Sequence, residues 1–302
     1  MRVRLLPSGH HCGAVQLITK CLFPVAGYGT RFLPVTKSMP KEMLPIVNKP
    51  LLQFGVEEAL AAGLHEIGFV TGRGKRSIED HFDISYELEH EIAGTDKERF
   101  LDSTRKLSRE CSFVYTRQIE MRGLGHAILT GRVMIGDEPF GVVLPDDLCF
   151  GGSTDDSPTG GEGVLTQMVR LYRQFRCSIV AIEEVPQEDV RNYGIVAGEA
   201  IAPNLYRVTD MIEKPDPAEA PSNLAIIGRY VLTPDIFDIL ERTPPGKNGE
   251  LQITDALRQQ AKEGVVMAYR FAGRRFDCGK VPGFIEATNY VYERGLYEKE
   301  TS

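Results

Sequence analysis

Residues 21–34 read CLFPVAGYGTRFLP, and the architecture follows from how this stretch must fold. Cys21 to Val25 is a short apolar run without alternation, the pattern of a strand buried on both faces. It ends in Ala26-Gly-Tyr-Gly-Thr30, a Gly-rich segment that reads as a tight loop. Beyond Pro50, the apolar positions Leu52, Val56, Ala59 and Leu60 recur at helical spacing, and Gly63 can stop that helix. A second apolar run, Ile67 to Thr71, reads as the next strand. Strand, loop, helix and strand in this order form a βαβ unit, which predicts a parallel sheet.

The alternation continues along the chain. Residues 76–109 are rich in charge and helix formers and read as two or three helices. Further strands are expected at 112–116, 140–144 and 178–182, with helices at 125–134 and 165–175 between them, and 151–163 reads as a polar surface loop. From Tyr193 the pattern changes to short extended pieces around 194–198, 205–208 and 226–231, which look like hairpins. Amphipathic helices at 234–241 and 251–262, a strand at 265–271 and a helix at 281–295 close the chain. The expected fold class is α/β: a Rossmann-like mixed, mostly parallel central sheet flanked by helices. The C-terminal half would cover the carboxyl edge of the sheet, where open α/β sheets bind ligands. Residues 1–19 are expected to be a disordered extension, and 20–298 a single domain.

Bulk properties bound the function. The 302 residues, 42% hydrophobic and 25% charged, have the balance of an ordinary globular enzyme. The net charge of −7 argues against a general nucleic-acid binder, while leaving room for a local cationic cluster facing an anionic ligand. The six cysteines contain no C-x-x-C pair, and reduced thiols in a cytoplasmic protein are expected. No apolar run approaches the roughly 20 residues needed to span a bilayer, so no membrane association is expected. Arg2 and Arg4 are not followed by a continuous apolar stretch, which argues against a signal peptide. His10, His11 and Cys12 read as incidental residues of the extension rather than a metal site.

The first candidate site is residues 27–34, GYGTRFLP, followed by PKEMLP at 40–45. A Gly-rich turn after a strand lets backbone N–H groups approach phosphates or a base. The spacing matches neither the dinucleotide fingerprint nor the Walker loop. This loop delivers Arg31 and then Lys41, two cations suited to a departing phosphate unit. By itself a short Gly-x-Gly is equally a structural turn. Asp146, at the end of a predicted central strand, could hold Mg²⁺ or cap the following turn; for Asp147 the structural role is preferred. Gln118 by residue type alone is a solvent-facing polar residue, and Glu213-Lys214 alone an exposed charge pair. Lys75 and Arg76 read as a phosphate-facing rim or a solvated patch.

The whole string is more specific than its parts. GxGTRxxP…PKxxLP resembles the signature of sugar-nucleotide pyrophosphorylases, and residues 20–50 resemble the bacterial UTP–glucose-1-phosphate uridylyltransferase family in particular. The resemblance continues through VTGRGKRSIEDHFD, TRQIEMRGLGHA, LPDD, YGIV, EKP, NGELQITDAL and FDCG, covering about residues 20–295. It implies the nucleotide-diphospho-sugar transferase type of fold, with a nucleotide-binding half (about 20–182) and a sugar-binding and oligomerisation half (about 183–298). It implies that UTP and glucose 1-phosphate become UDP-glucose and pyrophosphate with Mg²⁺ as cofactor. The alternatives are another nucleotide or sugar phosphate, a glycosyltransferase, or a non-catalytic relative.

The resemblance also implies roles. Ala26, Gly27, Gly29, Thr30, Gln118 and Gly123 would bind the nucleotide, with the Gln118 amide donating and accepting at once on uracil. Asp146 and, less directly, Asp277 would hold the metal. Glu213, Lys214 and Gly194 would bind the sugar phosphate, with Pro215 marking a bend that lets neighbouring side chains serve one site. Arg31, Lys41 and Lys214 would be catalytic. Thr254 and Asp255 are read as structural. Family members often form homo-oligomers, so self-association through 248–257 and the C-terminal helix is expected.

Overall fold

The computed structural model describes residues 17–152, 161–246 and 249–299. Within them the strands run β1 Lys20–Pro24, β2 Pro45–Ile46, β3 Lys49–Pro50, β4 Glu66–Thr71, β5 Ser112–Arg117 and β6 Phe140–Val143. They continue as β7 Asp147–Gly151, β8 Ser178–Glu184, β9 Gly194–Ala202, β10 Leu205–Glu213, β11 Leu224–Leu232, β12 Val266–Arg270 and β13 Gly273–Asp277. Nine of these make one sheet, in the order β5-β4-β1-β6-β11-β8-β12-β10-β9. The four at the β5 end are mutually parallel, as the βαβ reading required. Strand β11 runs antiparallel to both β6 and β8. The hairpin β9–β10 extends the far edge, so the C-terminal half continues the sheet as well as covering it.

Two apolar clusters sandwich the sheet. One gathers Phe23, Phe69, Val56, Met168 and their neighbours under the helices Leu51–Ala61 and Val164–Phe175. The other lies under Leu124–Thr130, Ile236–Arg242 and Ile253–Glu263. Phe69 stacks on Phe82, Phe113 and Tyr115 with ring centroids 5.3–6.0 Å apart. Truncating a ring so placed typically costs about 3–5 kcal/mol. Arg229 of β11, 1% exposed, reaches Glu58 at 2.8 Å and ties the antiparallel strand to helix Leu51–Ala61. Removing one partner would strand a buried charge, the costly way to break such a pair.

Some elements differ from the sequence reading. The helix expected over 125–134 is broken into Leu124–Thr130 and Arg132–Ile135. Strands β7 and β13, not anticipated, pair antiparallel and carry the site residues at their ends. Ile18 is 4% exposed and Thr19 accepts from Glu66, so packing starts before Lys20. The rest of the expected extension, with His10, His11 and Cys12, lies outside the described residues. Five free cysteines are buried in the described residues. No helix among those residues is long and apolar enough to cross a membrane.

Candidate active site

In the sheet order 5-4-1-6 the chain adds strands to one side of β1 and then to the other, so the strand order reverses between the parallel strands β1 and β6, and the loops after these two strands flank a crevice. The loop after β1 carries Gly27, which is exposed, and Gly29, whose φ of 67° is left-handed. Thr36 donates to the Gly29 carbonyl at 2.8 Å, which pins the turn against the next one. Thr30 and Arg31 then form a short 3-10 turn, and a second one over Lys41–Met43 brings Lys41 back across the crevice. Its Nζ donates to Asp146 Oδ2 at 2.5 Å. Burial alone would raise the Asp146 carboxyl, but the Lys41 ammonium overrides it and holds the group below the usual carboxylate range. Burial likewise pulls Lys41 down, while Asp146 and Glu42 more than restore it.

Lys75 is neither a phosphate rim nor a solvated patch. It is 6% exposed and donates at 2.6 Å to Glu42, itself 1% exposed. This pair fastens the Lys41 turn to the segment after β4. Arg76 does remain in solvent, 86% exposed.

A cleft of about 300 Å³ opens beside the Lys41–Asp146 pair, lined also by Ala26, Gly27, Gln118 and Gly123. Gln118 is 5% exposed, and its Nε2 donates to the Gly123 carbonyl at 3.2 Å. The same nitrogen lies 2.9 Å from His126 Nδ1. The NH₂ group is thus engaged internally, and Oε1 is left without a hydrogen bond among the described residues. Gly123 has φ 95°, and a methyl group there would sit 2.7 Å from the Leu251 carbonyl. Only glycine satisfies both the backbone angle and that approach.

The carboxylates meet at Gly279. A methyl group built there would lie 3.1 Å from Asp277 Oδ1, 3.2 Å from Asp146 Oδ2 and 3.5 Å from Arg31 Nη1. Arg31, Asp146 and Asp277, distant in sequence, therefore close on one point. Asp277 also accepts from Lys280 at 3.0 Å. Among the described residues no cluster of three or more His, Cys, Asp or Glu forms a ready metal cage. Two carboxylates converging at Gly279, one of them lining the cleft, fit Mg²⁺, which binds through one or two carboxylates plus substrate phosphates. Asp147 is structural: it accepts from the Gly228 amide at 2.7 Å and from Arg275 at 2.6 Å.

On the other side of the crevice, β9 and β10 pair Gly194 with Glu213. Glu213 Oε2 accepts from Thr254 Oγ1 at 2.6 Å, and Oε1 lies 3.2 Å from Lys214 Nζ. The bend that lets neighbours share a site falls at Lys214 itself, whose φ is +46°, rather than at Pro215. A methyl group on Gly194 would reach within 2.7 Å of Thr254 Oγ1 and 3.2 Å of Glu213 Oε2. Thr254, read from sequence as structural, is buried and holds the Glu213 carboxylate. Leu251 exchanges backbone bonds with Gly125 and Arg122, and residues 251–254 are buried within the chain. Those four residues therefore face inward and offer no contact surface, and Asn248 lies outside the described residues.

Sequence reasoning did not find the His126–Gln118 contact, the Thr254–Glu213 bond or the Glu42–Lys75 pair. Their partners stand 8, 41 and 33 residues apart, and only the local GLGHA and KE strings hinted at them.

The nucleotidyl transferase family model matches residues 24–294. A UTP–glucose-1-phosphate uridylyltransferase of Pseudomonas aeruginosa is 68% identical over 282 residues, 93% of this chain and 98% of that protein. The enzyme of the same description from Bacillus subtilis is 45% identical over 286 residues, 95% of this chain and 94% of its own. A crystal structure of UDP-glucose pyrophosphorylase complexed with UDP-glucose superposes with TM-score 0.83 at 56% identity, covering 92% of this chain and 100% of that one. A UTP-bound relative from Acinetobacter baumannii gives 0.80 at 37% identity, covering 92% and 94%.

Proposed function

The chain belongs to the nucleotidyl transferase family, and from that premise we infer that it joins UTP to α-D-glucose 1-phosphate, releasing UDP-glucose and pyrophosphate. The observation that carries the reading is the Lys41–Asp146 pair, set at the carboxyl edge of the parallel strands between the Gly-rich loop and Gln118. A phosphate dianion needs no deprotonation to act as nucleophile near neutral pH, so the chain's task is alignment and charge neutralisation.

In this reading the uracil lies against Gln118 and Gly123, with the triphosphate running along Ala26, Gly27, Gly29 and Thr30. Glu213 and the Gly194 backbone hold glucose hydroxyls, and Lys214 holds the 1-phosphate. One of its oxygens attacks the α-phosphorus of UTP in line. The bond from that phosphorus to the bridging oxygen breaks, and pyrophosphate leaves against Arg31 and Lys41. Asp146 and Asp277 would hold Mg²⁺, which neutralises phosphate charge when bound.

Self-association belongs to the proposal, through the C-terminal helix Val281–Arg294. Val281, Ile285 and Tyr292 are 46%, 53% and 63% exposed at helical spacing along one face. Pyrophosphate release tests the reaction: glucose 1-phosphate and Mg²⁺ with UTP, dTTP, CTP, ATP or GTP. Release selective for UTP and dependent on both the sugar phosphate and the metal is expected. Release with another nucleotide would move the specificity, and no release with any would overturn the reading.

A further inference from the structure

We propose that His126 is a positioning residue: it fixes the orientation of the Gln118 amide and so sets the preference for uracil over cytosine. The inference rests on the reading of Gln118 as the residue that meets the base. The Gly123 carbonyl can only accept, so the Gln118 atom 3.2 Å from it is the amide nitrogen. That nitrogen has no lone pair to offer, so His126 Nδ1, 2.9 Å away, must accept as well. The imidazole is then neutral with its proton on Nε2. Burial, reinforced by Arg122 and opposed by Glu120, holds the ring below its ordinary titration range, in keeping with that state.

Both amide hydrogens are thereby spent inside the protein. The main chain is held too, since the Gln118 N–H donates to the Thr71 carbonyl at 2.9 Å. Gln118 lines the cleft, and with its NH₂ group engaged the remaining polar atom is Oε1, an acceptor without a partner among the described residues. Uracil offers an N3–H to such an oxygen. Cytosine offers a lone pair at N3, and the two acceptors repel. Without His126 the amide would be held by Gly123 alone, and half a turn would let it donate to cytosine.

The test compares kcat/KM for UTP and CTP, with glucose 1-phosphate and Mg²⁺, in the wild type, His126→Leu and His126→Asn. His126→Leu is expected to lower the UTP:CTP ratio about tenfold, the worth of one hydrogen bond in a closed site, mainly through a higher KM for UTP. His126→Asn should restore the ratio, because its Oδ1 stands close to where Nδ1 stood. Equal losses for both nucleotides would overturn the proposal and leave His126 a packing residue. Nitrogen-15 NMR of the wild-type imidazole at neutral pH decides independently of any variant's folding. A bare Nδ1 and protonated Nε2 are expected, and a protonated Nδ1 would sink the idea. A wild-type protein that turns over neither nucleotide would instead refute the assigned reaction, while the NMR result would still judge His126.

Discussion

The two banks of the crevice are built differently. On the bank assigned to the nucleotide two ion pairs are already formed, although Arg31 stays exposed. Lys41 sits on Asp146 at 2.5 Å, and Glu42 and Lys75 are nearly inaccessible. On the sugar bank the cation is looser: the Lys214 side chain is 50% exposed, 3.2 Å from Glu213, on a left-handed backbone. A prebuilt bank suits the triphosphate, whose repulsion must be met before the reaction starts, because preorganised charges need no rearrangement as the transition state forms. The other bank has its carboxylate oriented by Thr254, while its lysine is left half-exposed, as the proposed contact with an incoming 1-phosphate requires.

If this contrast holds, substitutions on the two banks should move different constants. Lys41→Ala should have the largest effect, about 10³ in kcat, at the upper end of what losing one preorganised donor costs. It also leaves Asp146 without the cation that opposes its burial. Steady-state kinetics with both substrates saturating would read this. A loss below about tenfold would mean that the pair is only a structural tether.

Lys214→Ala should cost about 10², again as one lost donor, but shared between kcat and the KM for glucose 1-phosphate. An enzyme within about fivefold of wild type would remove Lys214 from the mechanism. An effect confined to kcat and as deep as that of Lys41→Ala would erase the contrast between the banks.

The same contrast explains how far the sequence could be read. Two loops of the nucleotide bank directly follow buried parallel strands, so continuous apolar runs ending in glycine or aspartate made the fold and the positions of Gly27 and Asp146 readable, whereas Lys41 was singled out only through the PKEMLP string. Long-range partners carry no such local mark. Strand β13 reads GRRFD, too charged to resemble a buried strand. Its Arg275 is tolerated because Asp147 and Glu183 accept from it and the Tyr193 ring lies beneath, 5.3 Å away. Lys75 looked like a surface cation for the same reason: its buried partner, Glu42, is 33 residues distant. The Gln118 amide was legible as a residue type but not as an orientation, since that depends on Gly123 and His126 together.

The smallest predicted effect is the most informative about how the banks communicate. Thr254→Val keeps the shape of a residue that is 3% exposed and removes only the hydroxyl that donates to Glu213. The KM for glucose 1-phosphate should rise about tenfold, as for one hydrogen bond to a charged group, with kcat nearly unchanged and Thr254→Ser close to wild type. The KM for UTP is the discriminating measurement. Leu251, three residues earlier, is bonded through its backbone to Arg122 and Gly125 beside the base pocket, so one short strap touches both banks. If the banks are independent, the KM for UTP stays where it was. If it rises with that for the sugar phosphate, the strap transmits the loss across the crevice, and the two banks are one device.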